Sequence, residues 1–477
     1  MTVVIMPSFD SASKIALRFS YHSHIKHWKD TMKHSISRRN VVKGAAWATP
    51  IVVASASVPA FASSLCTPDI TLDVPTNTTT NGDSVTHTFT AGNIEVMTFT
   101  LLGGAGGTYQ GNARDGHGGS GALVTGTLDL NPTDEVTFII AGGGGPYNNS
   151  PSTPGKGWAD GGSHSEAIMD ENEYTKRYKE HSSKSLINEL YGPTGGGASA
   201  ILLNGTPIAI AGGGGGAGAR QISRTSWNKE FYGPQPESFK GLKFNTGDMA
   251  SGGSGGRVGE RGGSYQETYL FFPGPALNMN GGLGGGNGQG GAGAPAGSLS
   301  DPKSNSAISF EGSQERYLFS QNVAGNAGAD ATLTKNSQGN NGGQGGAGVV
   351  GIGMAITWYR TSDLNQCSIL HGSTGGGGYG GGGSASVTTA AGYGADQSYA
   401  SVTGWVDGNY IEGGYWSPVG SAAFSGAGGG GGSYVDTSRV YDSNITIGSN
   451  IGKPGMRVNG AATAVVCRNF TADKKTK

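Results

Sequence analysis

Five histidines follow residue 62, namely His87, His117, His164, His181 and His371, and imidazole is the side chain best placed to move protons near neutral pH. None stands in a His-x-x-x-His spacing, which would put two imidazoles on one helix face for zinc. None accompanies a nucleophile elbow. Each therefore reads as a surface or packing residue. Gly448-Ser449-Asn450-Ile451-Gly452-Lys453-Pro454 is one residue short of a phosphate-binding P-loop and carries proline where a magnesium-binding hydroxyl belongs. Gly-x-Gly-x-x-Gly recurs, but with 90 glycines in 477 residues it arises from composition alone. Gly392–Asp396 bears a faint likeness to a calcium-binding nonapeptide repeat, and a single copy cannot stack to share ions. No catalytic, cofactor-binding or metal-binding residues are assigned, no cofactor is expected, and the chain reads as non-enzymatic.

The three cysteines are Cys66, Cys367 and Cys467, with no CxxC or Cys/His zinc spacing. Cys66 and Cys467 lie at opposite ends of the expected mature chain, and the ends of a compact domain are often close. A Cys66–Cys467 disulfide is the candidate pairing, with Cys367 bonded to one of them as the rival.

Residues 1–62 read as an export leader. Ser37-Arg38-Arg39-Asn40-Val41-Val42-Lys43 matches the twin-arginine pattern, a mildly apolar stretch from Gly44 to Val58 follows, and Ala60-Phe61-Ala62 supplies a small-x-small cleavage site before Ser63. The stretch contains Pro50 and falls short of the roughly 20 apolar residues of a membrane span. Met32-Lys33-His34 offers an alternative start with a shorter leader. The leader holds 8 of the 32 basic and 2 of the 33 acidic residues, leaving 24 against 31 and a formal charge of −7. Such a product has no electrostatic reason to bind nucleic acid. No later segment is apolar enough to span a bilayer, and the bulky Leu65 before Cys66 argues against a lipid anchor. Secretion or non-covalent retention at the cell surface is expected.

The elements that must position any site are mostly strands. Thr86–Thr90, Ile94–Leu102, Ala122–Leu130 and Glu135–Ala141 are rich in β-branched and apolar residues, with Val136, Phe138 and Ile140 alternating as in a half-buried strand. Asn131-Pro132-Thr133-Asp134 reads as a tight hairpin turn. Asn204-Gly205 is a favoured two-residue turn between Ala198–Leu203 and Thr206–Ala211. Val349–Arg360, Ser384–Thr389, Asn444–Ile447 and Ala461–Cys467 are further strands, the last returning the C-terminus to the sheet. About 415 residues after cleavage, from a chain only 35% apolar, predict a thin sandwich.

Several strands run straight into glycine: Met97–Leu102 into Gly103–Gly107, Val136–Ala141 into Gly142–Gly145, and Pro207–Ala211 into Gly212–Gly216. Buried amides need partners, and runs without side chains can form polyproline II-type glycine helices packed closely enough to bond one another. Gly281–Gly293, Gly342–Gly348 and Gly426–Gly432 are comparable blocks. Gly375–Gly383, broken only by Tyr379, predicts a straight rod of roughly 28 Å. Strict Gly-x-y periodicity is absent, which argues against a collagen triple helix.

The order Phe89-Thr90-Ala91-Gly92, Val96–Gly107, Gly121–Leu130 leading to Ile139–Gly145, then Gly195–Ile201 leading to Ile208–Gly212, resembles bacterial glycine-rich surface proteins. It is similar also to the extracellular glycine-rich domain of the anaplastic lymphoma kinase receptor family. Gly375–Gly383 followed by Gly428–Val435 resembles the later part of that domain, and the likeness covers about residues 86–467. The resemblance implies a tumour-necrosis-factor-like sandwich with an inserted bundle of long glycine helices, used to bind a protein partner. This chain departs from the receptors in having few cysteines, no transmembrane helix and no kinase domain, so their ligand is not carried over.

The expected organisation is therefore a leader at 1–62, an N-terminal segment at 63–85, a mainly β glycine-rich domain at 86–467 and a basic tail at 468–477. Two insertions interrupt the domain: a charged helix or loop at 165–190, and an aromatic stretch at 222–249 with Trp227, Phe231, Tyr232 and Phe239. Either could carry recognition. The expected function is a structural or adhesive surface module for a protein or glycan partner, with self-association as a further option. The alternatives are an exported hydrolase, which requires clustered Asp, Glu or His in a cleft, and an ice- or carbohydrate-binding glycine array, which requires a regular ladder of short side chains.

Overall fold

The computed structural model describes residues 70–109, 116–165, 186–224, 249–268, 276–299, 307–311, 314–333, 342–359, 362–393, 400–406, 409–416 and 419–468. They are mainly β, and their sheets are antiparallel with one exception. One five-stranded sheet runs in the order Ile70–Leu72, Ala461–Arg468, Ile94–Leu102, Ala122–Asp129, Val440–Ile447. A second runs Val85–Thr90, Glu135–Ile140, Ser199–Leu203, Thr206–Ala211, Tyr434–Val435.

The two sheets share one hydrophobic cluster, because alternation sends every second side chain inward. Met97, Phe99, Leu101, Val124 and Leu128 come from the first sheet, and Val136, Phe138, Ile201, Leu203 and Ile208 from the second. Phe99 and Phe138 are the largest side chains there without solvent contact, and truncating either to alanine removes about 3–5 kcal/mol. The C-terminal strand lies between Ile70–Leu72 and Ile94–Leu102, so it does return to the sheet.

Asn204-Gly205 makes the hairpin turn read from the sequence, with both residues left-handed at φ 50° and 78°. The turn at Asn131–Asp134 does something else. The strands beside it do not pair. Ala122–Asp129 bonds to strands of the first sheet and Glu135–Ile140 to strands of the second. The turn is thus an arch between sheets, which lets Leu128 and Val136 face one core from opposite sides. Asp134 holds it by accepting from the Asn131 N–H at 2.8 Å and from the Asn204 side-chain amide at 2.8 Å.

Between the strands the glycine blocks bond to one another with a three-residue cycle. In 212–218, Gly213 and Gly216 donate to Gly377 and Thr374, Gly214 and Ala217 to Gly104 and Gly107, and Gly215 and Gly218 to Gly253 and Ala250. Its carbonyls accept from Gly431 and Gly428, from Gly119 and Ala122, and from Gly196. Six segments therefore surround it. A Cβ on Gly213, Gly214 or Gly215 would land on the carbonyl oxygen of Gly196, Gly119 or Gly428, nearer than real Cβ atoms come. None of Gly212–Gly216 has a positive φ, so glycine is required here for close approach and not for backbone freedom.

Two blocks are not straight. Gly375–Gly383 folds back at Tyr379-Gly380, where Gly380 adopts φ 93°, and the returning Gly382 donates to Gly376 at 2.8 Å. Gly281–Gly293 likewise reverses at Asn287-Gly288, pairing Leu283 with Ala292. Folding back lets Gly382 and Leu283 bond within their own blocks, while most other amides of the two blocks pair with neighbouring segments.

Further sheets extend beyond the expected single pair. One comprises Ala307–Glu311, Gln314–Phe319, Val350–Tyr359, Ser362–His371 and Leu186–Tyr191, and another Asn322–Val323, Val387–Tyr393, Val419–Ser425 and Ala219–Arg224. Leu186–Tyr191, expected as part of a charged helix or loop, pairs in parallel with Gln366–His371. Residues 166–185 and 225–248 of the two insertions lie outside the described residues, as do 1–69 and 469–477. Among the described residues no helix is long and apolar enough to cross a membrane.

Candidate functional site

The parallel pair places His371 opposite Tyr191 and Ile369 opposite Glu189. Residues two apart on a strand share a face, so Glu189 and Tyr191 both reach His371. The Glu189 carboxylate accepts from His371 Nε2 at 2.9 Å and from the Tyr191 hydroxyl at 3.0 Å. The Tyr191 and His371 rings stack, with centroids 4.0 Å apart and planes at 16°. His164 comes in from the glycine segment before it, its Nε2 bonded to the Gly192 carbonyl at 2.8 Å and its ring edge-on to both others at 5.3 and 5.9 Å. His164 and His371, scattered in sequence, thus sit side by side.

His371 is fully buried. The Nδ1 atoms of both histidines are buried, and that of His164 has no hydrogen-bond partner. Burial drives the His164 pKa down to about 4 and lowers that of His371 as well, against the upward pull of Glu189. Both rings are therefore neutral at pH 7. Burial and the Glu189 carboxylate push the Tyr191 hydroxyl up to about 12. Cys367, four residues before His371, is pushed up to about 12 by burial and then by Glu189, so its thiol stays protonated and unreactive. The arrangement ties His371 to Glu189 by a hydrogen bond, but no serine or cysteine side chain among the described residues bonds to either imidazole. No three His, Cys, Asp or Glu among them are placed to hold a metal.

The spacing gives no hint of this cluster, since Glu189 and His371 lie 182 positions apart. A signal was present nonetheless. Tyr191-Gly192-Pro193-Thr194-Gly195-Gly196-Gly197 and His371-Gly372-Ser373-Thr374-Gly375-Gly376-Gly377 share one pattern, and the structure lays them side by side, with Thr374 N–H donating to Pro193 and Gly377 N–H to Gly196. Each threonine is buried and serves a neighbouring segment. Thr194 Oγ1 accepts from Gly145 N–H at 2.6 Å, and Thr374 Oγ1 accepts from Gly195 N–H at 2.8 Å while donating to Gly162 at 2.6 Å. Ser199 and Ser433 act similarly on Ala141 and Gly212. Hydroxyls thus stand in for missing carbonyls where strand gives way to glycine.

No family model matches this chain, and no curated protein matches it.

Of the residues singled out from the sequence, Ser37, Arg38, Arg39, Lys43, Ala60, Ala62, Ser63 and Cys66 lie outside the described residues, as does His181. Cys467 is buried in the last strand and disulfide-bonded. Cys367 is free and buried, which overturns the rival pairing in which it bonds to another cysteine. A place inside a sheet, opposite Ile187 and Met354, explains it. His87 lies on a strand near Phe89, and His117 is exposed.

Proposed function

We propose that this chain is an exported, non-enzymatic surface module. In this reading a tumour-necrosis-factor-like antiparallel sandwich carries an inserted bundle of polyglycine II helices and presents a binding surface to a protein or glycan at the cell surface. The observation that supports it most is the three-residue hydrogen-bond cycle around 212–218. A threefold helix turns each successive amide by a third of a circle, and six neighbours are what close packing of such rods requires. Two five-stranded sheets over one core suit the sandwich. Such a lattice is rigid, extended and chemically quiet, properties of a scaffold that holds a recognition surface away from the cell.

Twin-arginine export accepts folded cargo, which suits a chain whose glycine amides find partners only after folding. The disulfide of Cys467 and the free Cys367 favour Cys66 as the partner of Cys467. Amide hydrogen exchange on residues 63–477 tests the scaffold. Slow exchange at 212–217 and 428–432 is expected, and exchange at unfolded-peptide rates would remove the bundle from the reading. Fractionation of cells expressing the full chain tests export. Arg38→Lys with Arg39→Lys should retain the protein inside, and unchanged export would rule out the twin-arginine route.

A further inference from the structure

Where the second sheet meets the glycine bundle, Trp158, Leu202, Leu333, Tyr379 and Tyr434 remain half-buried over a cluster of Ala159, Ala198, Ala200 and Ile210. Tyr379 is the one side chain within Gly375–Gly383, set at the fold-back beside Gly380. Tyr434 follows Gly426–Gly432 and pairs with Ile210. Their ring centroids are 5.0 Å apart and their planes tilted by 50°. Neither hydroxyl bonds to a described residue. A Cβ on Gly288 would meet the Tyr379 hydroxyl and the Ala331 carbonyl at 3.2 Å each, so that hydroxyl lies over the turn. Exposed Asn287 and Gln289 flank the turn, and exposed Asp330 leads into Ala331. Asp330 spends one carboxylate oxygen on Gly290 N–H at 2.7 Å.

We propose that this seam is a binding site for a neutral glycan, an inference that rests on the reading of the chain as a partner-binding surface module. Aromatic faces offer an apolar platform with a polar tip, and a sugar presents an apolar C–H face rimmed by hydroxyls. The free tyrosine hydroxyls, the Asn287 and Gln289 amides and the remaining Asp330 oxygen supply donors and acceptors for that rim. Charge selects against polyanions. Asp330 and Asp436 border the tyrosines, the nearby Lys156 is already paired with Asp160 at 2.8 Å, and exposed Arg257, beside the Val258–Gly286 bridge, offsets only part of that negative charge. Junctions between packed units are a common place for such sites.

Native gel electrophoresis of residues 63–477 through soluble laminarin, galactomannan or hydroxyethyl cellulose, with alginate as the anionic comparison, tests this site. Retardation by at least one neutral polymer and none by alginate is expected. Tyr379→Ala should weaken retardation by about tenfold, on the scale of one lost aromatic contact, in a variant that still melts cooperatively. If Tyr379→Ala does not fold, the double variant Tyr379→Phe with Tyr434→Phe keeps the rings, removes both hydroxyls and should still weaken binding. No retardation by any neutral polymer, retardation by alginate alone, or full retardation of the folded variants would each overturn the glycan site. Amide protection of the glycine blocks in the same preparation reports on the scaffold, so the two readings fail separately.

Discussion

At the scale of the residue, a glycine in this molecule serves one of two ends, and substitution separates them. A Cβ on Gly214 would collide with the Gly119 carbonyl, whereas a Cβ on Gly205 meets nothing within 4 Å but sits at φ 78°. Alanine ordinarily gains about 0.4–1 kcal/mol by restricting the unfolded chain. Overpacking against backbone outweighs that, so Gly214→Ala is expected to lower stability by about 3 kcal/mol. Gly205→Ala should lower it by about 1 kcal/mol through left-handed strain. Denaturant midpoints of the two variants check the ranking. The histidine pair makes a second prediction. His164 has its pKa lowered from the ordinary 6.5 to about 4, so the unfolded chain takes up a proton that the native state refuses between those values. Its contribution is intact above pH 6.5 and lost as pH falls towards 4, by up to roughly 3 kcal/mol. His164→Gln should flatten stability between pH 7 and pH 4.5 relative to the parent chain, and an unchanged slope would remove His164 as the cause. None of this was legible from single residues. Glycine carries no side chain whose character reveals its neighbour, and the partners of His371 become visible only once Leu186–Tyr191 joins its sheet.

At the scale of the element, the strands were the legible part. Ile94–Leu102 and Thr206–Ala211 coincide with the sequence reading to the residue, because alternation and β-branching are local. The arch at Asn131–Asp134 was not legible, since a tight turn between two half-buried strands is equally compatible with pairing them or sending them to facing sheets. The segment 324–332 shows how the glycine array stops. Its inward Gly325 and Gly328 bond to Ala294 and Gly291, while Ala324, Ala327 and Ala329 are exposed. Among the described residues no acceptor meets the N–H of Ala324 or Ala327. Two open donors are an invitation to further pairing, as at a sheet edge, whereas Ala329 N–H is already taken by Gln344 at 2.8 Å, and the methyl groups hold another backbone away. Replacing Ala324 and Ala327 together with glycine should therefore promote self-association, measurable by sedimentation as a concentration-dependent shift. A variant that stays as monomeric as the parent would show that the methyl groups do not guard that edge.

At the scale of the whole molecule, the last strand is held between Ile70–Leu72 and Ile94–Leu102, so the first sheet closes only when both ends of the chain are present. A Cys66–Cys467 bond would fix that closure. Peptide mapping without reductant should recover the linked pair, and Cys66→Ser should lower stability by about 2–5 kcal/mol; recovery of an unlinked Cys66 peptide would end the assignment. The glycine lattice has a thermal consequence too. Its interior consists of peptide groups and α-carbons where other proteins place leucine and valine. Exposing apolar surface raises the heat capacity of unfolding and exposing peptide surface lowers it. Calorimetry should then give an increment per residue below the usual range of roughly 12–15 cal/mol/K. A small increment flattens the curve of stability against temperature, so this protein should hold its structure into the cold, where an oil-like core of equal size would already be weakening.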